Sequence, residues 1–233
     1  MFRKPDLEIL TTTLWEYPSQ HYGSKMQGNQ DYRGATPSYV IWNLLKRYTR
    51  EGDTVLDPMC GSGTTIDVCA DLKRKAIGFD LRPIRVDIQQ ADARFLPIKK
   101  ETVDFVFMDP PYSTHLEYSD DTRCLGKLDT RDGSYYEAME KVFGEMFRVL
   151  KDRRYVAVYV SDSFKKGKPF SAIGFELYAR LSKLFRPVDI VAVVRHNKTL
   201  KRNHWHTSAV DGNYFLRGFN YLLIFKKEIG PKH

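Results

Sequence analysis

Cysteine is scarce in this sequence, and its spacing excludes two common structural devices. The 233 residues include three cysteines, Cys60, Cys69 and Cys124, and no Cys-x-x-Cys pair. An odd and scattered set argues against both a disulfide framework and a structural zinc site. We therefore predict a reducing compartment and no bound metal.

Long apolar runs are missing as well. No segment approaches the roughly 18 consecutive apolar residues of a membrane span, and residues 1–6 lack an apolar core of signal-peptide length. These absences predict a cytoplasmic protein with no membrane partner.

Positive charge, in contrast, is abundant. The formal net charge is +8, and an excess of Lys and Arg favours a polyanionic partner such as nucleic acid. The length suits one well-buried domain better than two. We predict an N-terminal arm over residues 1–35, where helical and strand periodicity is weak, and a single catalytic domain over residues 36–233.

Short buried strands alternate with amphipathic helices along that domain. The helix that begins at Thr36-Pro37 has a predicted threonine cap and proline at the first helical position. Further helices are predicted at 66–72, 135–150 and 170–185, and strands at 53–57, 75–80, 103–107, 155–160, 188–194 and 221–225. The alternation favours a doubly wound α/β fold.

The first strand runs into a glycine-containing loop. Asp57 ends the strand, Gly61 and Gly63 follow in the loop, and a helix begins just after them. Bare backbone amides at a helix N-terminus attract a carboxylate or phosphate. Asp80 ends the next strand about 20 residues later, where an acid binds ribose hydroxyls in such folds. Ile66 occupies the place of the third glycine of a dinucleotide site, so an adenosine-containing cofactor other than NAD is indicated.

A second motif, Asp109-Pro110-Pro111-Tyr112, follows the apolar strand at 103–107. The prolines fix their own φ and disfavour helical geometry in the residues before them, which holds Asp109 in a stiff turn. A carboxylate and a backbone carbonyl there can accept hydrogen bonds from an amine, and the Tyr112 ring can stack on a planar group. The turn suits an aromatic amine, although Pro and Asp are also ordinary turn formers.

Together, the glycine loop and the Asp-Pro-Pro-Tyr turn resemble those of S-adenosylmethionine-dependent amino-methyltransferases that act on adenine N6 or cytosine N4. The resemblance implies a Rossmann-like class I methyltransferase with a seven-stranded, mostly parallel sheet and an antiparallel last strand. It also implies that the N-terminal arm folds over S-adenosylmethionine.

By the same resemblance, the methionine part of the cofactor lies near Asp57, Gly61 and Gly63. Asp80 takes the ribose hydroxyls, and Asp92 lies beside the cofactor adenine. The full set of predicted cofactor-binding residues is Asp57, Pro58, Cys60, Gly61, Ser62, Gly63, Thr64, Asp80, Asp92 and Ala93.

The predicted catalytic residues are Asp109, Pro110, Pro111 and Tyr112. The lone pair of a nucleobase amine is conjugated into its ring and must be turned toward the methyl donor, so orientation is the main catalytic task. We expect the Asp109 carboxylate and the Pro110 carbonyl to accept the two amine hydrogens, and Tyr112 to stack on the base.

Cations and aromatic rings are interleaved over residues 195–206, which we predict to be a loop. Such a mixture suits phosphates and unpaired bases. The predicted nucleic-acid-binding residues are Arg195, Lys198, Lys201, Arg202 and Trp205. A solvated loop with a packed Trp205 is the alternative.

The interval between Asp92 and Asp109 is too short for a target-recognition domain. We therefore favour RNA over DNA as the partner and predict a ribosomal RNA cytosine-N4 methyltransferase. The alternative is a DNA adenine-N6 or cytosine-N4 methyltransferase that uses the loops after Tyr112 and Arg195 for specificity. A protein glutamine methyltransferase is a third reading, which the positive charge disfavours.

Overall fold

Strands and helices alternate along the chain and build one mixed sheet. The computed structural model describes residues 6–29, 32, 34–111, 120–164, 169–196 and 203–230. Its strands are β1 (Leu14–Trp15), β2 (Thr54–Asp57), β3 (Lys75–Asp80), β4 (Ile88–Gln90), β5 (Val103–Met108), β6 (Leu150–Val160), β7 (Arg186–Val194) and β8 (Phe219–Lys226). Its α-helices are α1 (Ser38–Tyr48), α2 (Thr64–Asp71), α3 (Ser134–Val149), α4 (Ile173–Leu184) and α5 (Asn203–Asp211).

The sheet order is β1-β7-β8-β6-β5-β2-β3-β4. Only β8 runs antiparallel to its neighbours among the described strands, and it lies between β6 and β7. The predicted α/β class and the antiparallel last strand are confirmed. The described sheet has eight strands where seven were predicted; the short β1 lies in the N-terminal arm and pairs with β7 through Leu14 and Trp15.

Both faces of the sheet are covered, as the sequence of β5 requires. Every residue of β5 is buried, and its side chains alternate between two hydrophobic clusters. Phe105 and Phe107 pack in the cluster that contains α1, whereas Val106 and Met108 pack in the cluster that contains α3 and α4. The central strands are therefore held rigidly from both sides.

The segment predicted as a loop over residues 195–206 is partly helical. α5 begins at Asn203 and extends to Asp211, so the prediction of an extended loop is wrong at its C-terminal end. The helical periodicity there is weak because few apolar residues recur, which explains why the pattern did not indicate a helix.

Candidate active site

Three carboxylates meet at one edge of the sheet. Asp57 ends β2, Asp80 ends β3, and Asp109 directly follows β5. β2 lies between β3 and β5, and the three strands are parallel. Ligands of such sheets bind outside the carboxyl ends of the strands, so the two sequence motifs form one site.

Asp57 closes the glycine loop. Its Oδ1 accepts a hydrogen bond from the Met59 amide at 3.1 Å, and its Oδ2 accepts one from the Thr65 hydroxyl at 2.5 Å. Burial raises the pKa of this carboxyl to about 7, although both hydrogen bonds favour the charged form. Asp57 therefore fixes the turn into α2 as well as lining the site.

Asp80 holds the same loop from the neighbouring strand. Its Oδ2 accepts a hydrogen bond from the Gly61 amide at 2.9 Å, and its Oδ1 accepts one from the Arg82 amide at 2.9 Å. An ionised carboxylate has about four acceptor positions, so Asp80 keeps capacity for further donors.

Cys60 packs inside the loop as a small side chain. A side chain on Gly78 would meet the Cys60 Sγ at 2.9 Å, and burial raises the pKa of the Cys60 thiol. A thiol held neutral is a poor nucleophile. The geometry therefore gives Cys60 a packing role in the loop.

The largest of the described cavities beside these residues has a volume of about 430 Å³, within the usual range for ligand pockets. Its lining includes the predicted residues Pro58, Asp80, Asp92, Ala93, Asp109 and Pro111. Arg94 holds the Asp92 carboxylate through its backbone amide and its guanidinium, at 2.6–3.0 Å. These hydrogen bonds outweigh burial and lower the pKa of Asp92.

A smaller cavity of about 130 Å³ adjoins the glycine loop. The predicted residues in its lining are Asp57, Cys60, Gly61, Ser62, Thr64, Asp109 and Pro110. Gly63 is not in either lining; it precedes α2 with φ of 80°, and a side chain there would meet the Arg85 guanidinium at 2.5 Å. Its place is explained by backbone geometry and the close approach of Arg85.

The residues around the two cavities fit an adenosine-containing cation with an amino-acid tail. Carboxylates from Asp80 and Asp92 line the larger space, where ribose and adenine need hydrogen-bond acceptors. The smaller space borders the start of α2, whose dipole favours a carboxylate. Gly61 has φ of 47°, and a side chain there would meet the Tyr32 ring at 2.8 Å, so the loop is kept thin beside the site.

Tyr32 is a site residue that the sequence did not indicate. Its ring lies against Gly61, and it lines both cavities together with Met59 and Asp109. Burial, followed by the charges of the three nearby carboxylates, raises its pKa. Tyr32 lies in the predicted N-terminal arm, so this part of the arm borders the proposed cofactor position.

Thr36 is a second missed residue, and its predicted role is wrong. α1 begins at Ser38, and no side-chain cap bonds its first turn. The Thr36 hydroxyl instead donates to the Asp109 Oδ2 at 2.6 Å. The contact joins residues 73 positions apart, which local sequence rules do not detect.

Replacing Thr36 with valine is expected to lower kcat for methyl transfer about tenfold or more, since a hydrogen bond to a charged group contributes about 1.5–3 kcal/mol. Thr36→Ser keeps the donor and is the matched control. Steady-state kinetics with direct measurement of cofactor affinity checks this. Equal losses in the two variants would show that Thr36 acts through packing alone.

The pKa of the Asp109 carboxyl is set by burial, by a hydrogen bond and by nearby charges of both signs. Burial raises the pKa of its carboxyl to about 7. The Thr36 hydrogen bond and the positive charge of Arg195 lower it, whereas the negative charge of Asp57 raises it. Arg195 lines the smaller cavity together with Asp109, so this predicted nucleic-acid residue also belongs to the active site.

If Asp109 has its predicted role as acceptor of an amine hydrogen, it must first lose its proton, so the rate of methyl transfer is expected to rise with pH through about 7. Arg195→Met removes a charge that favours the carboxylate and moves this acid limb to higher pH. Profiles of kcat/KM against pH test the shift, with Arg186→Met as control because Arg186 lies at the opposite end of β7 and pairs with Glu228. A weaker salt dependence with an unmoved acid limb would assign Arg195 to phosphate binding instead.

A third cavity of about 410 Å³ also borders Asp109. The N-terminal arm, β6, β7 and β8 supply much of its lining. Asp109 is the residue common to all three cavities.

Four of the predicted catalytic and nucleic-acid-binding residues lie outside the described residues: Tyr112, Lys198, Lys201 and Arg202. Trp205 lies on α5, is 42% exposed, and has its ring centroid 5.1 Å from that of His204. The alternative of a packed Trp205 is therefore wrong.

The described residues contain no group of three or more His, Cys, Asp or Glu side chains arranged to hold a metal ion. None of their helices is both long enough and apolar enough to cross a membrane.

The sheet has counterparts among solved structures. A SAM-dependent methyltransferase from Methanosarcina mazei aligns with a TM-score of 0.52 and 14% identity, over 80% of this chain and 98% of that one. TrmN from Thermus thermophilus aligns with a TM-score of 0.54 and 18% identity, over 84% and 50%. The fold is that of class I S-adenosylmethionine-dependent methyltransferases.

The particular family follows from the sequence. The profile of the N6/N4 DNA methylase family matches residues 4–91 and 103–230. The chain belongs to this family, which confirms the predicted resemblance. The family is one of DNA methylases.

Curated relatives match parts of the chain. Type II methyltransferase M.MjaII of Methanocaldococcus jannaschii is 26% identical over 171 residues, which are 62% of this chain and 32% of that protein. Type II methyltransferase M.HpaI of Haemophilus parainfluenzae is 30% identical over 86 residues, or 36% and 27%. The chain thus spans about a third or less of the length of these relatives.

Proposed function

We propose that this chain transfers a methyl group from S-adenosylmethionine to the exocyclic amine of a DNA base, at adenine N6 or cytosine N4. The observation that carries the proposal is the position of Asp109. Asp109 borders the cavities of about 430 Å³ and 130 Å³ beside the glycine loop and Asp80, which we call the cofactor-side cavities. It also borders the third cavity, which is large enough for a nucleobase.

The chain's own chemical task is to hold the amine. When bound, S-adenosylmethionine supplies an electrophilic methyl group on a sulfonium. Asp109 accepts one amine hydrogen and the Pro110 carbonyl accepts the other, so that the nitrogen lone pair turns away from the ring. Orientation of this kind can contribute on the order of 7–11 kcal/mol.

Asp109 also stabilises the positive charge that develops on the nitrogen during methyl transfer, because a fixed carboxylate acts strongly in a desolvated site. With a pKa raised to about 7, Asp109 can also take the proton that the amine releases. Thr36 holds the carboxylate in place during both steps.

DNA is the better-supported substrate. The family is one of DNA methylases, and the two curated relatives are named as Type II methyltransferases. This support replaces the preference for ribosomal RNA that the short interval between Asp92 and Asp109 suggested. The net charge of +8 suits either nucleic acid and does not separate them.

Exposed rings on α5, on β8 and in the segment between them offer contacts for unpaired bases. Trp205, Phe215 and Phe219 are 42%, 84% and 42% exposed. The Arg217 guanidinium lies 5.2 Å from the centroid of the Phe170 ring. Stacking on such side chains is worth about 1–3 kcal/mol per base, so these rings suit a partly single-stranded or flipped substrate.

The proposal is tested by measuring whether a labelled methyl group is transferred to DNA, to RNA or to protein. The protein is incubated with S-adenosylmethionine labelled in its methyl group and with unmethylated DNA, total RNA or a protein extract. We expect label in DNA that deoxyribonuclease releases. Label confined to RNA would restore the ribosomal RNA reading, and label confined to protein would favour a glutamine substrate.

A further inference from the structure

The two cofactor-side cavities share part of their lining. Tyr32, Met59 and Asp109 are the described residues that line both the smaller cavity at the glycine loop and the larger one beside Asp80. They bring together an aromatic ring, a thioether and a carboxylate. The junction of the two cavities is therefore bounded by these three residues.

The Tyr32 ring lies directly against the glycine loop. A side chain on Gly61 would meet the Tyr32 Cζ and hydroxyl oxygen at 2.8 Å and its Cε1 at 3.1 Å. The Gly61 amide is in turn held by the Asp80 carboxylate at 2.9 Å. A residue of the N-terminal arm is thus packed on the part of the loop that borders the smaller cavity.

This ring is uncharged although three carboxylates lie near it. Burial raises the pKa of Tyr32, and the negative charges of Asp80, Asp109 and Asp57 raise it further. Aromatic rings attract cations through the negative charge on their faces. A neutral ring among carboxylates therefore favours a positively charged group at the junction.

The cofactor of the proposed function carries such a group at its centre. In S-adenosylmethionine one sulfonium atom joins the amino-acid tail to the adenosine. If the tail occupies the smaller cavity and the adenosine the larger one, the atom that joins them lies where the cavities meet. Methyl transfer breaks a carbon–sulfur bond and leaves its electron pair on sulfur, so the product at this position is an uncharged sulfide.

We propose that the Tyr32 ring binds the sulfonium and thereby makes the site prefer S-adenosylmethionine over its product, S-adenosylhomocysteine. The inference rests on the proposed function and deepens it. Loss of the positive charge removes the attraction between cation and ring. The spent cofactor is then held less tightly than a fresh methyl donor, which favours the exchange of one for the other.

Isothermal titration of Tyr32→Leu with each of the two ligands tests the assignment. Titrations at about pH 6 minimise the charge of Asp57 and Asp109, since the pKa of each carboxyl is about 7. We expect affinity for S-adenosylmethionine to fall about tenfold or more and affinity for S-adenosylhomocysteine about threefold or less. Phe175→Leu is the matched control and keeps both wild-type affinities, because this ring is 65% exposed on α4 and lines neither cavity.

A series that preserves the volume of the ring separates charge from packing. Tyr32→Phe keeps the ring and is expected to keep the wild-type ratio of the two affinities. Replacing the same residue with increasingly fluorinated phenylalanines withdraws negative charge from the ring face, so affinity for S-adenosylmethionine is expected to fall stepwise while that for S-adenosylhomocysteine stays constant.

A flat fluorination series, or equal losses for both ligands in Tyr32→Leu, would overturn the inference and leave Tyr32 as a packing residue of the glycine loop. The proposed function would stand in either case. If the wild-type protein binds neither ligand, the proposed function itself fails.

Discussion

Replacing Asp109 with alanine is expected to lower kcat for methyl transfer about 1,000-fold or more while cofactor affinity stays within about threefold. The variant loses both the acceptor that orients the amine and the charge that stabilises the developing cation. The glycine loop is unaffected because Asp57 and Asp80, rather than Asp109, hold its amides. The loss therefore falls on the chemical step.

Asp104 on the same strand provides the control. Its Oδ1 lies 2.9 Å from the Lys151 Nζ and 3.0 Å from the Arg154 Nη2, and its pKa is lowered because hydrogen bonds and cations outweigh burial. We expect Asp104→Ala to lower Tm but to keep the kcat of the folded protein. Single-turnover rates and calorimetric cofactor binding distinguish the variants. Loss of cofactor binding in Asp109→Ala would contradict its role.

Asp80→Ala is expected to weaken cofactor binding about 100-fold. Two losses combine in this variant: the predicted acceptor for the ribose hydroxyls and the carboxylate that holds the Gly61 amide at 2.9 Å. Each hydrogen bond to a charged group contributes about 1.5–3 kcal/mol, and tenfold in affinity corresponds to about 1.4 kcal/mol. Isothermal titration with S-adenosylmethionine measures the change.

Asp87 is a suitable acid for comparison with Asp80. It pairs with Arg85 at 2.6 Å and lines neither cofactor-side cavity, so Asp87→Ala is expected to bind the cofactor within about threefold of wild type. Asp80→Asn keeps an acceptor for Gly61 without the charge and is expected to fall between wild type and Asp80→Ala. An unchanged affinity in Asp80→Ala would remove the ribose role.

Much of the fold follows from local pattern. β3 begins and ends where the sequence predicts, at Lys75 and Asp80, because its apolar run is bounded by a helix end and a polar turn. β5 and α3 agree with prediction to within one or two residues. Strong periodicity and clear breakers decide these boundaries.

The gathering of Asp57, Asp80 and Asp109 also followed from sequence, since parallel strands bring their carboxyl ends to one edge. The residues that surround Asp109, in contrast, could not be predicted from the sequence. Thr36 carries the signature of a helix cap but bonds a carboxylate 73 positions away. Tyr17 and Asn220, which line the third cavity together with Asp109, come from opposite ends of the chain and have no motif that links them.

Charge predicted a polyanion without identifying it. A net charge of +8 is compatible with RNA and with DNA, and on sequence alone the interval between Asp92 and Asp109, which is too short for a recognition domain, favours RNA. Membership of a family of DNA methylases favours DNA over RNA as the substrate. Net charge alone does not distinguish the two.

The identity of the methylated nucleoside tests the central claim most directly. DNA treated with the protein and S-adenosylmethionine is digested to nucleosides and analysed by mass spectrometry against standards. A nucleobase amine held by Asp109 predicts N6-methyldeoxyadenosine or N4-methyldeoxycytidine, absent when Asp109→Ala replaces the wild-type protein. 5-Methyldeoxycytidine, or the same product from Asp109→Ala, would contradict the account.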